Sequence, residues 1–224
     1  MDLSKNRKII TTNDGSHSLL VPELNERYHS IHGAIKEAEH VFIKMGLDEY
    51  LPRYEASLNV FELGFGTGLN VLLSVKWAQT KQQSVEYTSI EKYPVSKEEF
   101  QQLNYGRIVG EADLYSKITN ANWTEFIEIS EKFKLRKLEL DVVKDSLPKG
   151  FDIVFFDAFA PNKQPDLWEA SVFEKVYSIM NKNGLLVTYS CQGRAKRNMI
   201  SAGFLVEKVV GPPGKREMLR ARKI

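Results

Sequence analysis

Leu58-Asn59-Val60-Phe61-Glu62-Leu63-Gly64-Phe65-Gly66-Thr67-Gly68-Leu69-Asn70 is the stretch whose reading decides the fold. Leu58 to Leu63 supplies a buried strand. Gly64 and Gly66 let the backbone turn and approach a ligand with no Cβ in the way, and from Asn70 to Gln79 the apolar residues recur with helical spacing. A strand passed to a helix through closely spaced glycines is built like a nucleotide-type cofactor loop. A dinucleotide loop is written G-x-G-x-x-G and sets a pyrophosphate on the helix N-terminus. Here the pattern is G-x-G-x-G, preceded by Glu62. A carboxylate at that place suits a cationic ligand.

Working outward, strand and helix take turns: Leu58 to Leu63, Asn70 to Gln79, Val85 to Ile90, Ser96 to Leu103, then Phe151 to Phe156, Val172 to Met180 and Gly184 to Ser190. A helix is expected around Ile31 to Met45 and a short third strand over Lys137 to Leu140. Such alternation implies an α/β fold with a mostly parallel sheet and helices on both faces. Near the end, Arg194 to Ser201 reads as a helix. Leu205 to Val210 and Glu217 to Arg222, joined across Pro212-Pro213-Gly214, read as an antiparallel hairpin at the sheet edge.

The glycine turn and its preceding acid resemble the first motif of class I S-adenosylmethionine-dependent methyltransferases, whose glycines make room for the methionine part of the cofactor. That resemblance implies a Rossmann-like sheet of seven strands, mostly parallel, with an antiparallel C-terminal strand. Glu91 closes the second strand about twenty residues past the glycines, where an acid binds ribose hydroxyls in cofactor-binding α/β folds. Two vicinal hydroxyls give a carboxylate two charge-assisted hydrogen bonds. Asp141 closes the third strand, and the family pattern puts such an acid near the adenine amino group. Asp145 competes for that role.

Open α/β sheets bind ligands at the carboxyl ends of their strands. The fourth strand ends in Asp157-Ala158-Phe159-Ala160-Pro161-Asn162-Lys163, so Asp157 is expected to face the cofactor. If the acceptor is an amine, a carboxylate there can accept its N–H bonds, orient the lone pair along the sulfur-to-methyl axis and take up a proton. An amine of pKa about 10 carries little free base at neutral pH, so the site has to favour deprotonation. Phe159 is a candidate for stacking on a planar ring. The bland alternative for Asp157 is a helix cap.

Composition bounds the class. The 224 residues suffice for one α/β domain with a full core, and the net charge of +2 excludes a generally basic coat. No long apolar run predicts a membrane span, the polar start lacks a signal-peptide core, and a cytoplasmic enzyme is expected. One cysteine, Cys191, and four histidines without a zinc pattern make a metal site unexpected. Basic residues gather late, as Arg194, Lys196, Arg197, Lys208, Lys215, Arg216, Arg220, Arg222 and Lys223. They read either as a patch for a phosphate backbone or as a solvated basic tail.

More specific runs follow. Glu62 to Asn70, Glu91-Lys92, the run Asp157-Ala158-Phe159-Ala160-Pro161-Asn162-Lys163-Gln164-Pro165-Asp166-Leu167-Trp168, and Gly214-Lys215-Arg216-Glu217-Met218-Leu219 resemble the methyltransferase domain of the bifunctional tRNA 5-methylaminomethyl-2-thiouridine biosynthesis proteins. Glu26-Arg27-Tyr28-His29-Ser30 and Glu39-His40-Val41-Phe42-Ile43 extend the likeness to nearly the whole chain. The resemblance implies methyl transfer from S-adenosyl-L-methionine to the amine of 5-aminomethyl-2-thiouridine in the tRNA anticodon loop. It assigns Glu62, Gly64, Phe65, Gly66, Gly68, Asn70, Glu91, Lys92 and Asp141 to the cofactor and Asp157 to the amine. From position, Phe159, Lys163, Trp168, Lys215, Arg216 and Tyr28 fall on the substrate side, with core packing the alternative for Trp168. One domain over 1–224 is expected, with 1–50 as an extension packed on the site. The chain stops at Ile224 with no second glycine motif, so the stand-alone type is expected, its aminomethyl substrate supplied by separate upstream tRNA-modifying enzymes.

Three other readings compete. Cys191 after the fifth strand is placed as a thiolate nucleophile would be in RNA cytosine methyltransferases, but the Asp157 loop lacks their further cysteine. A methyltransferase or aminopropyltransferase acting on a small amine also places an acid after the fourth strand. A silent cofactor- or RNA-binding module usually loses the glycines or the acid, and here both are present.

Overall fold

A computed structural model describes residues 6–50 and 57–224. An N-terminal antiparallel meander, β1 (Lys8–Thr11), β2 (His17–Val21) and β3 (Glu26–Arg27), leads into α1 (Ala34–Ala38), which widens into a π-helical stretch, Glu39–Leu47, and ends in α2 (Asp48–Tyr50). The expected helix therefore begins three residues after Ile31. Then come β4 (Leu58–Leu63), α3 (Leu69–Lys81), β5 (Val85–Glu91) and three short helices, α4 (Lys97–Gln102), α5 (Tyr105–Val109) and α6 (Ala112–Asn120). The second half runs β6 (Phe126–Ser130), β7 (Phe133–Glu139), β8 (Phe151–Phe156), a 3-10 turn (Pro165–Trp168), α7 (Ala170–Ile179), β9 (Met180–Thr188), α8 (Gly193–Ser201), β10 (Phe204–Val210) and β11 (Glu217–Lys223).

The main sheet has the order β10-β11-β9-β8-β4-β5-β7-β6. Its middle five strands are parallel; β11 runs antiparallel to them beside β9, β10 turns back antiparallel to β11, and β6 runs antiparallel to β7 at the other edge. The fold class is the expected one, but among the described residues the sheet has eight strands instead of seven. The added β6 is an edge strand with only Ile129 buried, so its sequence lacks a sustained apolar run.

All six residues of β8 are buried, the mark of a strand covered on both faces. Ile153 and Phe155 face the core under α1 and α3, whereas Val154 and Phe156 face the core under α7 and α8. The same alternation in β4 turns Val60 and Glu62 toward α3 and Phe61 and Leu63 the other way. After β4 the chain builds outward through β5 and β7, then returns to the opposite side of β4 with β8. A crevice opens where the direction reverses, beyond the ends of β4 and β8, and this is where such sheets bind ligands.

Candidate active site

A cavity of about 850 Å³ occupies that crevice. This lies within the usual span of ligand pockets, roughly 300–1,000 Å³, and is roomy enough for two ligands side by side. Its walls come from the turn after β4, the ends of β5, β7 and β8, the N-terminal segment from Leu24 to Glu37, and Tyr189, Gly214 and Lys215.

Gly64, with φ +97°, is forced: a Cβ there would lie 2.7 Å from the Asp157 carbonyl oxygen. The turn after β4 and the loop after β8 thus meet backbone to backbone. Phe65 lines the cavity while its ring packs against Phe100 and Trp123. Lys137, whose ammonium donates to the Ile118 and Thr119 carbonyls, lies 5.0 Å from the Phe65 and Trp123 ring centres. Burial pushes that ammonium down to about 8.

Glu91 reaches the cavity from the end of β5, with one oxygen accepting from the Gly66 N–H at 3.1 Å and the other from the Tyr93 N–H at 2.8 Å. Asp141 lines the cavity past β7, and Lys92 pairs with it at 2.9 Å. Burial alone would raise Asp141, but the hydrogen bonds from Lys92 and the Val143 N–H outweigh it and hold the carboxylate below its ordinary range. Asp145 lies off the cavity wall and accepts the Asp141 N–H at 2.7 Å, so it braces its neighbour. Lys175 ties the same loop down from α7 by donating to the carbonyls of Val142, Val143 and Asp145.

Asp157 stands at the floor. Asn70 bridges two acids, its Nδ2 donating at 2.9 Å to Asp157 Oδ2 and at 2.9 Å to Glu62 Oε1. Burial raises Asp157 from 3.8 to about 7, the Asn70 bond working against the rise, Glu37 adding to it and Lys215 opposing it. Burial likewise raises Glu62 from 4.5 to about 8, against the hydrogen bonds from Ser89 and Asn70.

The expectation that Glu62 meets a cationic ligand directly needs correction. Strand alternation places it beneath α3, fully buried, where it accepts from Ser89 Oγ at 2.6 Å and does not line the cavity. It acts on the cavity through Asn70, which does line it and whose Oδ1 has no partner among the described residues. Gly68 also lies off the wall, as the left-handed residue that starts α3.

On the opposite side, Tyr28 and Phe159 line the cavity edge to face, 5.0 Å between ring centres. Lys163 lines it too and donates to the Leu24 carbonyl at 2.7 Å, pinning the Asp157 loop to the N-terminal segment. Trp168 follows its packing alternative: buried against Phe156 and Phe173, it donates from Nε1 to the Phe159 carbonyl at 2.8 Å and stays off the wall. Lys215 is on the wall, whereas Arg216 is exposed and outside it. Cys191 is exposed and outside it as well, which removes the thiolate reading.

Much of the late basic cluster is engaged. Lys208 pairs with Glu217, Arg220 with Glu49 and Glu207, Lys215 with Glu37 and Arg194 with Glu169, while Lys223 donates to two carbonyls. Glu37, His29 and Tyr189 are among the cavity residues that carried no individual role in the sequence reading. His29 bonds Thr67 Oγ1 at 2.8 Å, and burial drops its imidazole to about 4. Glu37 had a signal, since Ala34, Glu37, Ala38 and Val41 share one helical stripe and an acid on an apolar stripe marks a partner. Tyr189 resembles any apolar strand end.

The sheet order, the crevice and the glycine turn define a class I methyltransferase. The sequence profile of the S-adenosyl-L-methionine-dependent methyltransferase family matches residues 111–224, just over half of the chain, and the chain belongs to that family.

Among curated proteins, the tRNA 5-methylaminomethyl-2-thiouridine biosynthesis bifunctional protein MnmC of Burkholderia mallei (strain SAVP1) is 30% identical over 231 residues, covering 94% of this chain and 34% of the relative. This chain spans about a third of the length of such relatives. Among solved structures, MNMC2 from Aquifex aeolicus superposes with a TM-score of 0.77 at 26% identity, covering 96% of this chain and 69% of that one. Spermidine synthase from Thermotoga maritima, with a TM-score of 0.54 at 10% identity, covering 96% of this chain and 72% of that one, shares the fold alone.

The residues present fit S-adenosyl-L-methionine. A carboxylate stands at the end of β5, and the orphaned acceptor on Asn70 suits an ammonium donor on the glycine-turn side. Among the described residues no helix is long and apolar enough to cross a membrane.

Proposed function

We propose that this chain transfers a methyl group from S-adenosyl-L-methionine to the amine of 5-aminomethyl-2-thiouridine at the tRNA wobble position, giving 5-methylaminomethyl-2-thiouridine. The observation that carries this reading is Asp157, a carboxyl at the end of β8 that lines the switch-point cavity and is held by Asn70 Nδ2 at 2.9 Å. The cofactor, when bound, supplies an electrophilic methyl on a sulfonium. The chain's own residues do the rest.

An aliphatic amine of pKa about 10 arrives as an ammonium with no lone pair. Asp157, ionised as pH passes about 7, takes one proton from it. Asn70 occupies Oδ2, so Oδ1 is the oxygen left to hold a remaining N–H and aim the lone pair. The nitrogen gains the methyl and its positive charge, and the sulfur leaves neutral.

In this reading Glu91 holds the ribose hydroxyls, Lys92 and Asp141 border the adenine, and Gly64, Phe65, Gly66 and Asn70 border the methionine part. Glu62 and Gly68 support that wall from below. Tyr28 and Phe159 stack on the unpaired base, as aromatic side chains do with splayed anticodon-loop bases. Lys163 and Lys215 bound the acceptor, Trp168 fixes the Phe159 loop, and Arg216 meets tRNA phosphate outside the cavity. Of the expected extension 1–50, residues 1–5 lie outside the described residues; residues 6–50 work as an extension over the site of a single cytoplasmic domain, and separate upstream enzymes supply the aminomethyl group.

The test is labelled methyl transfer to bulk tRNA from cells lacking this protein, followed by nucleoside mass analysis. One methyl gained on aminomethyl-thiouridine is expected. Cofactor binding without label in tRNA would overturn the reading.

A further inference from the structure

We propose that Glu37 is the second carboxylate of the acceptor site, forming with Asp157 a clamp for a cationic amine in which the Lys215 ammonium holds the place until the acceptor arrives. This rests on the methyl-transfer reading above and identifies what selects the acceptor by charge.

Glu37 stands on the packed stripe of α1 and is only 8% exposed. A carboxylate buried there is costly unless its oxygens are partnered. One accepts the Ser30 N–H at 2.7 Å, the other meets Lys215 Nζ at 2.8 Å. The Ser30 bond is a fixed backbone bond. The Lys215 bond is exchangeable: its side chain is one-third exposed, on a flexible stem, just after Gly214 in its left-handed turn. The same ammonium lies 4.0 Å from the centre of the Tyr189 ring, and Tyr189 donates its hydroxyl proton to the carbonyl of Ala158, next to Asp157. Glu37, Lys215, Tyr189 and Asp157 all open on one cavity.

Two carboxylates face a single ammonium across this part of the wall. With both ionised, the cluster is one positive charge short, and an incoming ammonium completes it. A neutral acceptor supplies no such charge. When the acceptor amine takes the clamp, Lys215 swings off Glu37 and stays over the Tyr189 face, where a cation is still favoured. No proton needs to move in this exchange, and the later deprotonation belongs to Asp157.

The charged and titratable groups around the pair are few. Glu62 and Tyr87 lie beneath the glycine turn, Tyr189 and Lys215 on the C-terminal side, and Glu26, His29 and Asp14 in the N-terminal segment. Glu37 and Lys215 push Asp157 in opposite directions, which makes the sign of each variant's effect diagnostic.

The experiment measures kcat, KM for tRNA and the pH profile of kcat/KM for the wild type, Glu37→Gln and Lys215→Met, with the cofactor Kd taken by calorimetry. Glutamine keeps an acceptor for the Ser30 N–H while losing the charge. Glu37→Gln is expected to raise KM about tenfold or more, as loss of a buried charge partner does, to leave the cofactor Kd unchanged and to move the acid limb to lower pH. Lys215→Met is expected to move that limb to higher pH and to lower KM, since no ammonium then competes with the acceptor for Glu37. A folded Glu37→Gln with wild-type KM and pH profile overturns the clamp, as do two variants that shift the limb the same way. If Glu37→Gln does not fold, Lys215→Met decides alone, and an unchanged or raised KM there refutes the placeholder. A wild type that binds cofactor yet labels no tRNA sinks the methyl-transfer reading and the clamp with it, an outcome distinct from failure in the variants alone.

Discussion

Replacing Glu62 with glutamine tests the chemistry beneath the glycine turn without touching the cavity wall. Glu62 is fully buried, and burial raises its folded-state pKa from 4.5 to about 8. Below 4.5 both folded and unfolded chains hold the proton, and the contribution of the group to stability is fully present. Between 4.5 and about 8 the unfolded chain has lost the proton that the folded one keeps, so stability falls as pH rises through that window and levels off above it. At about 1.4 kcal/mol for each pH unit, the ceiling is about 5 kcal/mol. Asp157 shares Asn70 with Glu62 and titrates with it, so the loss assignable to Glu62 is smaller, about 2–3 kcal/mol. Glutamine has the shape of the protonated acid: its carbonyl can accept from Asn70, and Ser89 can turn its hydroxyl to accept from the new amide. Urea unfolding at several pH values from 5 to 9 should show the wild type losing stability relative to Glu62→Gln as pH rises, with equal slopes against urea. Parallel stability curves across the whole range would refute the claim that Glu62 is protonated in the folded protein at neutral pH.

Four further outcomes follow from the same geometry. Asp157→Asn should lower kcat about a thousandfold while calorimetry finds the cofactor bound as before; in the wild type the rate should climb as pH rises through about 7, and a flat profile from pH 6 to 8 would contradict the assigned proton acceptor. Glu91→Ala removes the carboxylate from the end of β5 and should weaken cofactor binding about 10- to 100-fold with little change in kcat at saturation, checked by titration calorimetry. Gly64→Ala sets a Cβ 2.7 Å from the Asp157 carbonyl on a residue at φ +97°, and a thermal melt should report a loss of about 1–3 kcal/mol. Trp168→Phe keeps a ring in the core but drops the bond to the Phe159 carbonyl, costing about 1 kcal/mol and raising KM for tRNA more than for the cofactor.

The cofactor half of the site was legible because each part has a local signature. The glycine turn and the largely apolar β8 followed by Asp157 are each written within a dozen residues, and Glu91 closes the next strand about twenty residues past the glycines. The sequence reading placed Asp141 at the cofactor with Asp145 as a competitor, since both follow β7 closely; of the two, Asp141 lines the cavity. Glu62 shows why the residue beside a motif can mislead: alternation in β4 turns it under α3, and its effect on the cavity passes through Asn70. The small sheet β1-β2-β3 and the edge strand β6 went unread because short, half-exposed strands carry little apolar periodicity. Trp168 and Arg216 sit in specific runs, yet one packs in the core and the other faces solvent. A run can mark a family without every member of it touching a ligand.

The acceptor half was legible only in part: Tyr28, Phe159, Lys163 and Lys215 were expected on the substrate side and do line the cavity, but their partners were not legible, because that half is assembled from chain ends that meet only in the fold. Lys163 reaches back 139 residues to the Leu24 carbonyl, Lys215 reaches back 178 to Glu37, and His40 bonds the Val210 carbonyl 170 residues on. Arg220 joins the same seam through Glu49 at 2.9 Å. These bonds explain the late basic residues better than a phosphate-binding tail does, since several spend their charge on acids or carbonyls of this chain. The N-terminal segment and the turn between β10 and β11 therefore meet beside the cavity. A sheet that presents the cofactor and a seam of ion pairs that presents the acceptor divide the labour. On the proposed clamp, specificity for the acceptor lies in residues such as Glu37 that no motif contains, at positions where a neutral substitution changes substrate choice and leaves the cofactor fold intact.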